Sequence, residues 1–263
     1  MRLQLFLFLL PPFFAFAQST SSAQVSTFEL ESPQLGTTKK IWVWLPEDYA
    51  ASDKKLPVLY MHDAQNLFDA KTSFVGEWNV DETLDELQAQ VIVVGIEHGN
   101  DKRLNELTPF AHQKYGGGQA DTYLDFIVST LKPVIDKRYR TLKAAGDTAI
   151  MGSSLGGLVS FYAVLKYPEV FGKAGVFSPS FWFSDEIYTY AETVKSLKGK
   201  HFYFLCGTKE DETMVADMQK MTRIAEAKGA QTTEVIIPGG EHNEKLWREN
   251  FKSAYHWLFL RKQ

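Results

Sequence analysis

The sequence predicts an α/β fold, a mostly parallel sheet of about eight strands flanked by helices. Three observations point there. From residue 56 onward, short apolar runs alternate with segments of helical length and periodicity. Residues 147–166 read as strand, sharp turn and helix, with glycines on both sides of the turn. The chain has 263 residues, 44% hydrophobic and 23% charged, which suits one well-buried core without internal repeats or low-complexity linkers.

The elements follow in order. Runs near 25–31 and 39–45 read as an antiparallel edge pair. Later strands are expected near 56–61, 91–96, 147–152, 173–178, 201–206 and 233–237. Helices are expected near 79–89, 120–136, 155–166, 213–228 and 243–261. Asp81 to Glu86 load acids into the first of these, as the helix dipole favours. Gly229 follows the fourth as a cap.

The N-terminus reads separately. Arg2, an apolar core from Leu3 to Leu10 and the small-residue pattern Ala15-Phe16-Ala17 form a secretory signal peptide over 1–17, cleaved after Ala17. Residues 18–24 read as a flexible mature N-terminus, and 25–263 as a single domain. The expected location is the periplasm or the medium. Pro11, Pro12 and the short apolar run count against a retained membrane span, and no cysteine follows the cleavage site to carry a lipid, so no stable membrane anchor is expected. The single cysteine, Cys206, ends an apolar strand and reads as a buried inert thiol.

The most informative motif is Gly152-Ser-Ser-Leu-Gly156, a G-x-S-x-G centred on Ser154. Its strand–turn–helix context is that of a nucleophile elbow, with Ser154 strained at the head of a helix whose N-terminus favours developing negative charge. A serine hydroxyl needs a base, and the base an orienting carboxylate. Of six histidines, only His201, His242 and His256 follow Ser154, the chain order this architecture requires. His201 opens a strand and His256 sits in a packing helix. His242 occupies a loop directly after the strand ending at Ile237, so it is the expected base. The acid is expected in Glu210-Asp211-Glu212 after the preceding strand, with Glu210 favoured, Asp211 the alternative and Glu212 at a helix start. Two backbone N–H groups for an oxyanion are expected at Leu155 and at Gln65, with Ala64 the neighbouring alternative. His62 and Asp63 lack a further ligand at usable spacing and read as a hydrogen-bonded loop, so no metal is expected.

The chain resembles the putative-esterase branch of the α/β-hydrolases. The resemblance is carried by residues 59–68, 76–81 and 93–100, by Arg103 with Glu106-Leu-Thr-Pro109, and by 152–158, 177–182, 206–210 and 239–242. It implies the α/β-hydrolase fold. It also implies Ser154 as nucleophile, His242 as base, Glu210 as acid, and Gln65 with Leu155 as oxyanion donors. Neither cofactor nor metal is implied. Ala64 departs from the glycine that relatives often carry there.

Substrate contacts are expected from loops at the C-terminal edge of the sheet. Phe181 and Trp182 offer an aromatic platform for a sugar or aryl acyl group, or else pack as a lid. Trp78 lies in a second loop. Arg103 offers an anchor for an anionic group, or pairs with Glu106. The expected activity is that of an exported serine carboxylic-ester hydrolase acting on a small acyl ester such as an acylated carbohydrate. The alternatives are a siderophore esterase, an acyltransferase and a non-catalytic carbohydrate-binding protein. A net charge of −4 without a basic tract argues against nucleic acid as a partner.

Overall fold

The computed structural model describes residues 19–260. The strands are β1 (Val25–Ser32), β2 (Thr37–Trp44), β3 (Val58–His62), β4 (Ile92–Ile96), β5 (Ala111–His112), β6 (Gly116–Gly117), β7 (Thr148–Ser153), β8 (Lys173–Phe177), β9 (His201–Gly207) and β10 (Gln231–Ile237). The helices are α1 (Val80–Glu86), α2 (Arg103–Leu107), α3 (Ala120–Asp125), α4 (Lys132–Arg138), α5 (Leu155–Lys166), α6 (Glu186–Thr193), α7 (Met214–Ala227) and α8 (Glu244–Tyr255).

All eight expected strands join one sheet in the order β1-β2-β4-β3-β7-β8-β9-β10. The β1–β2 and β2–β4 pairings are antiparallel, and every pairing from β4 to β10 is parallel. Parallel strands need both faces covered, and β3 and β4 are accordingly buried at every position. Strand alternation splits the core. Val58 and Tyr60 face one apolar layer with α3, α4, α5 and α7, while Leu59 and Met61 face the other with α1 and α8.

The short elements α2, α6 and the β5–β6 hairpin carry too few residues for a periodic signal, and the sequence did not predict them. The helix expected over 120–136 is α3 and α4 joined by a π-helical segment, Phe126–Leu131. Pro133 explains the irregularity: its ring would collide with the carbonyl one turn earlier, and the wider turn relieves the clash.

The predicted signal peptide, 1–17, lies outside the described residues. The stretch after it is not loose as expected. Ser19 Oγ and Thr20 N–H donate to Asp69, Thr20 Oγ donates to Glu77 at 3.0 Å, and Ser22 N–H donates to Asp81 Oδ2 at 2.7 Å. A run of serine and threonine reads as loop by composition, but here it supplies the donors that buried carboxylates require. Asp81 is fully buried. Burial, the largest effect, pushes its pKa up to about 8, and the neighbouring Glu82 adds to the rise. The folded protein therefore holds a proton there that the unfolded chain releases above its ordinary pKa, and stability falls as pH rises from about 4 to about 8. Asp81→Asn removes that liability and keeps the acceptor for Ser22. It is expected to raise stability at pH 7 by about 2 kcal/mol, below the full linkage value because solvent and Glu82 share the charge. The gain should vanish below pH 4; urea unfolding at both pH values measures it.

Candidate active site

Ser154 stands between β7 and α5 with φ 59° and ψ −122°, a conformation that L-residues seldom adopt. The surroundings hold it there. Its N–H donates to Phe177 O at 2.9 Å, and its carbonyl accepts from Ser180 N–H at 3.1 Å. A Cβ on Gly152 would sit 2.9 Å from the Gly156 backbone, so strand and helix approach this closely only with glycine there. The second sterically required glycine is Gly157, whose added Cβ would lie 2.6 Å from Phe177 O; Gly156 has more room, its nearest neighbour being 3.4 Å away.

His242 follows β10, and its Nδ1 meets Glu210 Oε2 at 2.7 Å. The Glu210 side chain is wholly buried. Its other oxygen accepts from Gly207 N–H at 2.6 Å and Ser178 Oγ at 2.7 Å. The Ser178 hydroxyl in turn accepts from Trp247 Nε1 at 2.8 Å, and the Trp247 ring stands edge-on to the His242 ring. The three consecutive acids are thereby separated. Glu210 turns inward. Asp211 accepts from Thr213 and Met214 N–H at the start of α7, and Glu212 is exposed. The Ser154 hydroxyl is hydrogen-bonded to Ser180 Oγ at 3.2 Å rather than to His242. A hydroxyl rotor can leave that partner at little cost, and such contacts commonly tighten only with substrate bound.

Ser154 and His242 line one cleft of about 330 Å3 with Asp63, Trp78, Arg103 and Glu244. The arrangement can pass a proton from a serine hydroxyl to an imidazole whose far nitrogen is held by a buried carboxylate. The Leu155 N–H, as the first of a helix, has no intrahelical acceptor, and Gln65 lies in a single 3-10 turn after β3 whose backbone bonds run from Asn66 and Leu67. A larger open cleft of about 580 Å3 beside Trp44 and Asp85 holds none of the expected site residues.

The sequence profile of the family described as "Putative esterase" matches residues 32–258. The chain belongs to this family.

The esterase is 27% identical over 241 residues to the uncharacterised protein YbbA of Bacillus subtilis, covering 84% of this chain and 92% of that one. It is 22% identical to the endo-1,4-beta-xylanase/feruloyl esterase of Xylanibacter ruminicola over 94% of this chain, which spans 33% of that longer protein. Its structure superimposes on the BES protein of Bacillus cereus with a TM-score of 0.75 at 17% identity, covering 94% and 99% of the two chains. It superimposes equally well, at a TM-score of 0.75 and 17% identity, on the enterobactin esterase of Shigella flexneri, covering 93% and 61%. At these identities the superpositions show a shared α/β-hydrolase fold.

Two expected substrate contacts of the esterase need correction. Phe181 is fully buried against Phe161 and Tyr188, so it belongs to the core and offers no platform. Trp182 is half exposed beside Tyr115 and Phe183 and does not line the cleft of Ser154. The aromatic segment divides this way because its one 3-10 turn sends neighbouring side chains in different directions. The cleft wall is instead Trp78, stacked on Phe177 and tilted against Trp247, with Phe74 and Val75 exposed at the rim. Sequence reasoning passed over Ser178, Trp247 and Glu244. Glu244 and Trp247 lie two and five positions beyond His242, and their i, i+3 spacing on a helix starting at residue 244 was the available signal.

Arg103 does reach the cleft, but it pairs with Asp63 rather than Glu106. Its Nε and Nη2 donate to the two carboxylate oxygens at 2.7 and 2.9 Å. Glu106 instead receives Lys39 Nζ at 2.7 Å on both oxygens, in a pair almost wholly buried. His62 donates to or accepts from Tyr123 OH at 2.8 Å, and burial lowers its pKa to about 4, so it is neutral at pH 7. Burial pushes the Cys206 thiol up to about 12, which keeps it protonated. Among the described residues no cluster of three or more metal-ligating side chains forms, and no helix is long and apolar enough to cross a membrane.

The Arg103 guanidinium holds the Asp63 carboxyl below its ordinary value against the opposing effect of burial. A depressed folded pKa contributes stability above the unfolded value and loses it as pH falls. Arg103→Met leaves Asp63 unpaired. The variant is expected to lose about 2 kcal/mol at pH 7, less than a fully buried pair would cost because Arg103 is partly exposed. The deficit should shrink as pH falls through the lowered pKa of Asp63, where the wild type loses the pair as well. Denaturant midpoints across that range test it.

Proposed function

We propose that the protein is an exported serine carboxylic-ester hydrolase that works through an acyl-enzyme on a small acyl ester, such as an acylated carbohydrate. The observation that carries the reading is the meeting in one cleft of a serine at φ 59° and a histidine whose Nδ1 is engaged by a buried glutamate. Membership of an esterase family supplies the reaction class. Export rests on residues 1–17 of the sequence.

In this reading Ser154 Oγ turns from Ser180 toward His242, transfers its proton to Nε2 and attacks the ester carbonyl. Glu210 keeps the proton of His242 on Nδ1 and stabilises the imidazolium that forms. The Leu155 and Gln65 N–H groups receive the oxyanion, aided by the N-terminus of α5. His242 returns the proton to the leaving alcohol, and water then releases the acid by the same steps in reverse order of roles. Trp78 and Phe74 flank the acyl group.

The siderophore-ester reading draws on the enterobactin esterase likeness. Among the described residues, the one Lys or Arg lining the cleft is Arg103, already paired with Asp63, which favours a neutral substrate over an anionic ferric catecholate.

The test is hydrolysis of short-chain p-nitrophenyl esters by the mature chain. Ser154→Ala is expected to lower kcat/KM roughly ten-thousand-fold, and His242→Ala by a similar factor. Glu210→Gln is expected to cost on the order of a hundredfold or more, with the fold intact by circular dichroism. Equal rates for wild type and Ser154→Ala would overturn the assignment.

A further inference from the structure

Among the described residues of the cleft, Glu244 is the charged group that neither the acyl-transfer chemistry nor an ion pair accounts for. It is the first residue of α8, two beyond His242, and it lines the cleft while only 6% exposed. Capping of α8 does not call for it, because Asn243 Oδ1 already accepts from Leu246 N–H at 3.1 Å. The helix dipole favours an acid in this first turn, but an exposed carboxylate would gain as much. Among the described residues, no side chain donates to its carboxylate; its own N–H is the donor that reaches it. Burial raises its pKa, while His242 and Arg103 nearby oppose the rise. A carboxylate accepts hydrogen bonds and donates none, so this one is an unfilled acceptor facing the space a substrate enters.

The remaining charges restrict what fills it. Arg103 has two of its N–H groups committed to Asp63. Burial lowers the pKa of His62 and of His98, so both add no positive charge at neutral pH. Among the described residues, the cleft therefore presents a carboxylate without a free cation to balance an incoming anion. Hydroxyl groups are donors without charge, and they satisfy an acceptor of this kind.

We propose that Glu244 is the specificity-determining residue of the cleft: it accepts hydrogen bonds from the hydroxyls of a neutral, polyhydroxylated leaving group and repels leaving groups that carry a negative charge. The inference rests on the acyl-enzyme reading of Ser154 and names the alcohol side of its substrate.

The experiment uses three acetyl esters with one acyl group and different alcohols: 6-O-acetyl methyl glucoside, ethyl acetate and acetoxyacetate. Acid release is followed at constant pH. The wild type is expected to favour the sugar ester over ethyl acetate and to disfavour acetoxyacetate. Glu244→Gln and Glu244→Leu are expected to shrink the sugar-to-ethyl ratio of kcat/KM by about tenfold, mostly through KM, as loss of a hydrogen bond to a charged group predicts. Both are also expected to raise the acetoxyacetate-to-ethyl ratio several-fold. A purely structural role would change all three rates together and leave the ratios alone. Unchanged ratios in both variants overturn the proposal and leave the acyl-enzyme reading standing. Absence of turnover of any ester by the wild type overturns the acyl-enzyme reading instead. Titration of methyl glucoside into Ser154→Ala, with and without Glu244→Leu, then decides for Glu244: binding weakened about tenfold supports it, and equal binding overturns it.

Discussion

A carboxylate with no access to water must be fully partnered, and the Glu210 carboxylate imposes that condition on the whole C-terminal edge of the sheet. Its donors come from three places: Gly207 at the end of β9, Ser178 just after β8, and His242 after β10. Ser178 is itself held by Trp247 on α8. Removing any one of them leaves buried charge undercompensated, so the loops cannot drift independently. The same bonds aim the imidazole into the cleft. Stability and site geometry are here one constraint.

Around that centre the backbone is strained in a pattern that follows the sheet. Asp63, Ser154 and Ser178 all have positive φ without being glycine, at 57°, 59° and 43°. They sit at the C-terminal ends of the adjacent strands β3, β7 and β8. Each costs of order 1–3 kcal/mol, and each is over-determined by neighbours: Arg103 on Asp63, the Phe177 and Ser180 backbone on Ser154, Glu210 and Trp247 on Ser178. Parallel strands that end together expose their edges to one crevice, which is where ligands enter open α/β sheets. The buried Lys39–Glu106 pair supports this crevice from behind: Glu106 also accepts from Gly99 N–H, tying down the segment that carries His98 and Arg103.

Some features follow from local chemistry and were legible in the chain. Alternating apolar runs mark strands because a two-sided parallel sheet needs continuous hydrophobic segments, and all eight were found near their true bounds. The Gly-Ser-Ser-Leu-Gly turn is legible because few sequences other than glycine-flanked ones let strand and helix approach so closely. His242 followed from chain order and loop position. These depend on periodicity, sterics and connectivity, which a sequence carries explicitly.

Other features depend on which way a side chain turns once distant segments meet. Glu210, Asp211 and Glu212 are near equivalents as text; folding buries the first, uses the second to start α7 and exposes the third. Phe181 and Trp182 are adjacent aromatics, yet one enters the core and the other faces solvent. Arg103 has Glu106 one turn away on its own helix but pairs with Asp63, forty positions earlier. The serine- and threonine-rich stretch after residue 18 has the composition of a loose end and becomes ordered by carboxylates some fifty to sixty positions onward. Composition and period establish the strands of the main sheet and the longer helices. The pairing of buried charges and the direction of each loop side chain are set by the free energy of desolvation across long sequence separations, and that is a property of the assembled fold.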